Sequence, residues 1–223
     1  MTSPLDHIAA LAEWDTPSLS NALDSLRLRP FNTGYTDGSI VRQTGTGTTV
    51  GHAVTAKMMA HEPGDGIPVA RLHELVAAAD GPVVVVIEDV DDPAGGGAFL
   101  GEVNGSLLQA LGIAGFITNG RVRDVNELRA FTYPVFASGL CVARSYMRLV
   151  EVGTPVRVAG MAVSTGDIVH GDEHGLINIP ADALPAIFDK AETIRADEQH
   201  LVGWSRSDEF TVEGLLELKR VRH

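Results

Sequence analysis

Residues 82–87 read Pro-Val-Val-Val-Val-Ile, and this run decides the fold class. Four valines and an isoleucine favour extended backbone, because β-branched side chains fit a pleated surface. No side chain in the run is polar, so neither face of the strand is suited to water. Such a strand belongs inside a sheet covered on both sides, as in layered α/β domains.

The flanking sequence agrees. Upstream, Val69, Leu72, Leu75, Val76 and Ala79 repeat at helical spacing, and Val50–Met59 reads as a strand. Downstream, a helix is expected over about Glu102–Leu111, a strand over Gly115–Thr118, a helix over about Asp124–Ala130 and a strand over Pro134–Ala137. Near the start, Thr16 is placed to cap a helix with Pro17 in its first turn and Leu19, Ala22, Leu23 and Leu26 on its apolar face. Residues 29–48 are rich in glycine and read as loops with short extended pieces. From Pro155 to Pro180 the pattern becomes short β segments punctuated by glycine, and helices are expected over Ala183–His200 and about Thr211–Val221. The expected fold is α/β: one domain of 223 residues with a layered β/β/α core over about 10–182 and a helical tail over about 183–223.

Composition narrows the function classes. The net charge of -12 repels phosphate backbones, and aromatic residues are sparse, so no nucleic-acid partner is expected. The basic tail Lys219-Arg220-Val221-Arg222 reads as a solvated helix end. The longest apolar run, Pro82–Ile87, is too short to span a bilayer, and the N-terminal segment with Asp6 and Glu13 is no secretory signal. Cys141 is the only cysteine. A soluble cytoplasmic protein is expected.

The chemistry concentrates at Gly101-Glu102-Val103-Asn104 and, with twenty residues between it and Glu102, at Arg123-Asp124. Asp124 offers a hard oxygen ligand for Mg²⁺ or Mn²⁺. The helix that starts at Glu102 presents the backbone N–H groups of Val103, Asn104 and Gly105 to an anion. Arg123 carries a planar fork that matches a carboxylate. Together they suit a 2-oxo acid with its carboxylate on Arg123 and the helix end and its keto oxygen on a metal. A structural ion pair also accounts for Arg123-Asp124, and a dipole-complementing acid for Glu102.

Other candidates have blander readings. Asp89, Asp91 and Asp92 after the buried strand read as a solvated turn, and Gly95-Gly96-Gly97 lacks the ending of a phosphate loop. His170, Asp172 and His174 suggest zinc or a proton-tuning histidine, but Gly171 and Gly175 make the segment a β turn. Cys141 has no placed catalytic partner, and a Schiff-base role for Lys57 competes with the metal reading.

The same motifs carry a family resemblance. Gly101-Glu102-Val103-Asn104, Gly112-Ile113-Ala114-Gly115 and Asn119-Gly120-Arg121-Val122-Arg123-Asp124 resemble the signature of the 4-hydroxy-4-methyl-2-oxoglutarate aldolase family, also called the regulator of ribonuclease activity A (RraA-like) family. Ser20–Asp24, Val50–Thr55 and Thr165–Asp172 extend the likeness over about residues 10–200. The resemblance implies a swivelling β/β/α fold assembled as a homotrimer or hexamer, with the C-terminal helices packing on a neighbouring subunit. It implies metal-dependent cleavage of a small 2-oxo acid to pyruvate, often with oxaloacetate decarboxylation.

On that resemblance Asp124 ligates the metal, Arg123 binds the substrate carboxylate, the backbone of Gly101–Asn104 cradles pyruvate, and Glu102 occupies the place of an acid that steadies metal-bound water. Glu198 is the candidate acid from a neighbouring subunit, with Glu192 and Asp197 as alternatives. The sequence departs from the pattern at one place: Glu102 stands where the family has aspartate, which moves the carboxylate by about 1 Å, a shift that can cost about a hundredfold in rate. Some relatives inhibit ribonuclease complexes, so a non-catalytic regulatory binding protein is the alternative function.

Overall fold

The computed structural model describes the backbone of residues 4–221 and the side chains of residues 6–218. Strands are β1 (Val41–Thr44), β2 (Thr49–Met59), β3 (Val83–Asp89), β4 (Gly115–Thr118), β5 (Val135–Ala137), β6 (Arg148–Val152), β7 (Val156–Val158), β8 (Met161–Val163), β9 (Ile168–Asp172) and β10 (Gly175–Ile179). Helices are α1 (Pro4–Leu11), α2 (Thr16–Leu26), α3 (Ala70–Ala78), α4 (Glu102–Ala110), α5 (Val125–Leu128), α6 (Leu184–Ser205) and α7 (Val212–Val221), with a 3₁₀ turn at Ala181–Ala183.

One sheet runs β1-β5-β4-β3-β2-β9-β10. β2 to β5 pair in parallel, as β-α-β units require, while β1, β9 and β10 join antiparallel. The long strand β2 has β3 along one edge. Its other edge is shared: residues 49–52 pair with β9 and residues 56–59 with β6. One strand serving two partners on one edge curls the sheet toward a half-barrel.

β3 is the run that decided the fold class, and both its faces are buried. Val83, Val85 and Ile87 pack with Leu72 and Val76 of α3, Leu108 of α4 and Leu128 of α5. Val84 and Val86 pack on the other side with Val156, Val158, Met161 and Val163, the inward residues of the separate β7–β8 hairpin. The layers are therefore hairpin, sheet and helices. Each buried valine stabilises this arrangement by roughly 1.5–3 kcal/mol relative to exposure, as an upper bound. A third cluster joins Ile8, Leu19, Leu23 and Ile187 of α1, α2 and α6 to Ile168, Ile177 and Ile179.

Three local expectations change. The cap of α2 is Asp15 rather than Thr16: its carboxylate accepts the Ser18 N–H and the Ser18 hydroxyl, both at 2.8 Å. The Thr16 N–H instead donates to Asp172 Oδ2 at 2.8 Å. The helix expected over 124–130 is a single turn, Val125–Leu128, and Asp124 precedes it in the left-handed region at φ 56°. Of the acids expected to form a solvated turn, Asp92 is exposed, but Asp89 and Asp91 are tied into the fold. Asp89 is 2% exposed and accepts the N–H groups of Gly95 and Asp91, and Asp91 accepts those of Ala60 and His61. Folding residues 90–97 back over the strand end satisfies these N–H groups and buries the carboxylate. That burial raises the Asp89 pKa above the ordinary carboxylate value.

The first part of α6 buries Leu184, Ile187 and Ala191 on its own chain, while residues 192–205 are mostly exposed. The side chains of the basic tail at 219–222 lie outside the described residues. No helix among the described residues is long and apolar enough to cross a membrane.

Candidate functional site

The two halves of the site leave the sheet at neighbouring strand ends. β3 leads through the folded-back segment to Gly101 and α4, and β4 leads through Asn119 to Arg123 and Asp124. The Asn119 side chain joins them, accepting the Asp89 N–H and donating to the Asp89 carbonyl. Further along, the Arg123 N–H donates to Leu100 O at 3.1 Å.

This brings Glu102, Arg123 and Asp124 together. Asp124 Oδ2 accepts the Glu102 N–H at 3.0 Å and lies 3.5 Å from Arg123 Nε. Both charged side chains remain about one-third exposed, so the ion pair itself contributes little stability. Gly101 sits between them: a Cβ there would come within 2.5 Å of Asp124 Oδ2 and 3.0 Å of Arg123 Nε. Only glycine allows the start of α4 to approach the Arg-Asp pair this closely. Gly105 serves the same purpose a turn later, where a Cβ would meet the Phe131 ring at 2.2 Å. The Tyr133 hydroxyl donates to Gly105 O at 3.0 Å, and burial raises its pKa well above the usual tyrosine value.

Of the three N–H groups expected to face an anion, Gly105's is spent, because it donates to Gly101 O at 2.9 Å. Those of Val103 and Asn104 have no acceptor within the helix. The Asn104 side chain is held by Phe99 O at 2.7 Å.

A cavity of about 380 Å³ opens beside this helix end. Val69, Ala98, Phe99 and Met147 form its apolar wall. Gly101, Val103 and Asn104 form one side, and two cations face it, Arg123 and Arg144. Glu102 and Asp124 stand next to lining residues but are not among them. Arg144 was missed in the sequence, since residues 138–147 show no periodicity; it arrives because the Ala98 N–H donates to Ala143 O at 3.2 Å.

The donors suit a hard cation. Asp124 uses only Oδ2 in its contacts with the protein, and the Glu102 carboxylate has no protein partner among the described residues. The C-terminal candidates are not at this cavity within one chain. Glu198 accepts a 3.5 Å contact from Asn21 on α2, and Glu192 pairs with Arg195.

The remaining candidates fall elsewhere. Among the described residues, Asp172, Glu173 and His174 have ligand atoms within 4.8 Å of one another, but His170 does not join them. His170 is fully buried, its Nδ1 on Thr16 Oγ1 and its Nε2 on Trp14 O, both at 3.1 Å. Burial lowers its pKa below the ordinary histidine value. Burial opposes ionisation of Asp172, but hydrogen bonds from Thr16 and His174 outweigh it and lower its pKa. Lys57 is tied to Glu151 at 2.9 Å. Burial raises the pKa of the half-buried Cys141, which suits no nucleophile.

Relatives carry the same architecture. A Halalkalibacterium halodurans protein named "Putative 4-hydroxy-4-methyl-2-oxoglutarate aldolase" is 28% identical over 87% of this chain and 86% of its own. The crystal structure of Streptomyces coelicolor RraAS2, named an unusual member of the RNase ES inhibitor RraA protein family, superposes with a TM-score of 0.73 at 20% identity, covering 87% of this chain and 96% of that one. A structure described as one of novel cellulases from microbes associated with the gut ecosystem superposes at 0.76 with 15% identity, covering 89% and 88%. At these identities the two structures speak for the fold alone. The Aldolase/RraA family model matches residues 16–178. Through that match, across most of the chain and both halves of the site, the protein belongs to the RraA-like family.

Proposed function

We propose that the cavity beside α4 carries a divalent-metal-dependent lyase reaction that cleaves a small 2-oxo acid, of the 4-hydroxy-4-methyl-2-oxoglutarate type, to pyruvate. The observation that carries this reading is the 3.0 Å bond from the Glu102 N–H to Asp124 Oδ2. It holds a free carboxylate oxygen, an arginine fork and a helix N-terminus around one point. Aldolase names among relatives support the same reaction class.

Asp124, with Glu102 direct or through water, would hold Mg²⁺ or Mn²⁺, which would supply Lewis acidity toward a keto oxygen. Arg123 binds the 2-oxo acid's carboxylate in two hydrogen bonds, and the N–H groups of Val103 and Asn104 orient it. Glu102, exposed at the helix start, takes the C4 hydroxyl proton. The C3–C4 bond then breaks, its electron pair forming the pyruvate enolate while C4 becomes a ketone. Protonation at C3 releases pyruvate. With oxaloacetate the same enolate follows loss of CO₂. An acid from a neighbouring subunit, Glu198 by preference, completes the site in a trimer or hexamer.

The test is pyruvate release from 4-hydroxy-4-methyl-2-oxoglutarate and CO₂ release from oxaloacetate, with Mg²⁺ or Mn²⁺ and after EDTA. Turnover of neither, or turnover indifferent to EDTA, overturns the reading. A second reading, a regulatory binding protein, draws on Leu140, Val142 and Tyr146, which expose 48%, 96% and 58% of their surface on one loop. It predicts capture of a ribonuclease complex by a protein without turnover.

A further inference from the structure

Among the described residues, Arg144 is a cation without a protein partner on a backbone held firmly in place. Its guanidinium makes no hydrogen bond, ion pair or ring contact with any described residue, and Arg144 is one of the residues that line the cavity. On one side of it, Ala143 O accepts the Ala98 N–H at 3.2 Å. On the other, Ser145 adopts φ 54° and its hydroxyl donates to Ala60 O at 2.9 Å, with the Tyr146 N–H on the same oxygen at 3.2 Å. Gly97 packs so tightly that a Cβ would come within 2.4 Å of the Arg144 carbonyl.

The charge balance of the cavity is opposite to that of the chain. The sequence holds 29 acids against 17 lysines and arginines. The lining holds two arginines and no acid. Val69, Phe99 and Met147 give the cavity an apolar wall on one side, while Arg144 is exposed and Arg123 about one-third exposed, so each charge contact acts at a partly solvated opening. A monocarboxylate on Arg123 leaves Arg144 unanswered, whereas a dicarboxylate answers both.

We infer that Arg144 is a specificity-determining residue: it binds the second carboxylate of a 2-oxo dicarboxylic acid and selects such acids over monocarboxylic ones. This rests on the lyase reading of the same cavity, so the test has a binding arm that needs no turnover.

In the first arm, kcat/KM is compared for 4-hydroxy-4-methyl-2-oxoglutarate and for 4-hydroxy-4-methyl-2-oxopentanoate, in which a methyl replaces the distal carboxylate. In the second, calorimetry with Mn²⁺-loaded protein compares 2-oxoglutarate with 2-oxopentanoate. The wild type should favour the dicarboxylate by about 10- to 100-fold in each arm, as one charge-assisted pair allows. Arg144→Ala should erase the preference, mainly through KM, and leave the monocarboxylate within about twofold. Arg144→Lys should restore some of it, and Arg123→Ala should weaken both ligands. No wild-type preference in the binding arm, or an equal loss for both ligands in Arg144→Ala, overturns the inference. A preference in binding without turnover of either substrate leaves it standing and removes the lyase reading instead.

Discussion

The side-chain amide of Asn119 grips the main chain of Asp89 at both polar atoms: Asn119 Oδ1 accepts the Asp89 N–H at 2.7 Å, and Asn119 Nδ2 donates to the Asp89 carbonyl at 2.9 Å. Asp89 ends β3 and Asn119 directly follows β4, the neighbouring strands that lead to the two halves of the candidate site. Asn119→Ala removes both bonds and leaves polar backbone atoms without partners. It should cost about 1–3 kcal/mol in urea unfolding and lower kcat/KM by about 10- to 100-fold. Asn119→Asp keeps the acceptor but sets an oxygen against the Asp89 carbonyl, so it should rescue little. A stability loss with unchanged kcat/KM rules out a positioning role.

Gly101→Ala tests the close approach. Its Cβ falls 2.5 Å from Asp124 Oδ2, so the Arg-Asp pair must move or α4 must shift. A displacement of about 1 Å at a reacting centre costs on the order of a hundredfold in rate. The variant should fold, with a thermal midpoint near wild type, and lose about that factor in pyruvate release. Activity within threefold of wild type counts against the site.

The two functions of Asp124 can be separated. Asp124→Asn retains an oxygen for the Glu102 N–H but loses the charge a hard cation needs; Asp124→Ala loses both. Mn²⁺ binding, followed by electron paramagnetic resonance, should weaken at least tenfold in each. Thermal stability should fall more in the alanine variant. Unchanged Mn²⁺ affinity in Asp124→Ala removes the assigned ligand.

Val103 and Leu107 of α4 and its C-cap Leu111 are 70%, 47% and 38% exposed and lie four residues apart. That spacing puts them on one face, next to the cavity, where an apolar row suits a second copy of the chain. On the proposed trimer or hexamer, an interface on this face predicts a lower mass for Leu107→Glu than for wild type in light scattering coupled to gel filtration. Activity should fall with it, if a neighbouring subunit completes the site. An unchanged mass excludes this face as the interface.

His170 makes stability depend on pH. Held neutral by burial, with both ring nitrogens bonded, it has a folded pKa below its unfolded one. The unfolded state therefore binds more protons below about pH 6.5, and stability falls as pH drops from there toward the folded value. The slope from this one group is at most about 1.4 kcal/mol per pH unit. His170→Gln should be less stable than wild type at pH 7.5 but show a flatter pH dependence between about 5 and 6.5. An equally steep dependence in the variant assigns the effect to other groups.

Much of the fold was legible because it follows from local patterns. An unbroken β-branched run at 83–87 needs cover on both faces, and helical spacing at 69–79 supplies some of it. The motif residues at 101–104 and 123–124 were legible as chemistry, because few other segments combine acid, arginine and glycine so densely. Asp15 was missed as a cap by one residue, since Thr16 suits that role equally well in the sequence, but its hydroxyl is taken up by His170, far along the chain.

The sequence by itself determined the layered α/β class, the strand that centres it and the residue types of the candidate site, because periodicity and side-chain chemistry are local properties. Only the tertiary structure decided that Asp89 is buried and that Arg144 lines the same cavity as Arg123. Those outcomes depend on which distant backbone groups meet, and hydrogen-bond partners separated by tens of residues leave no periodic trace in the chain.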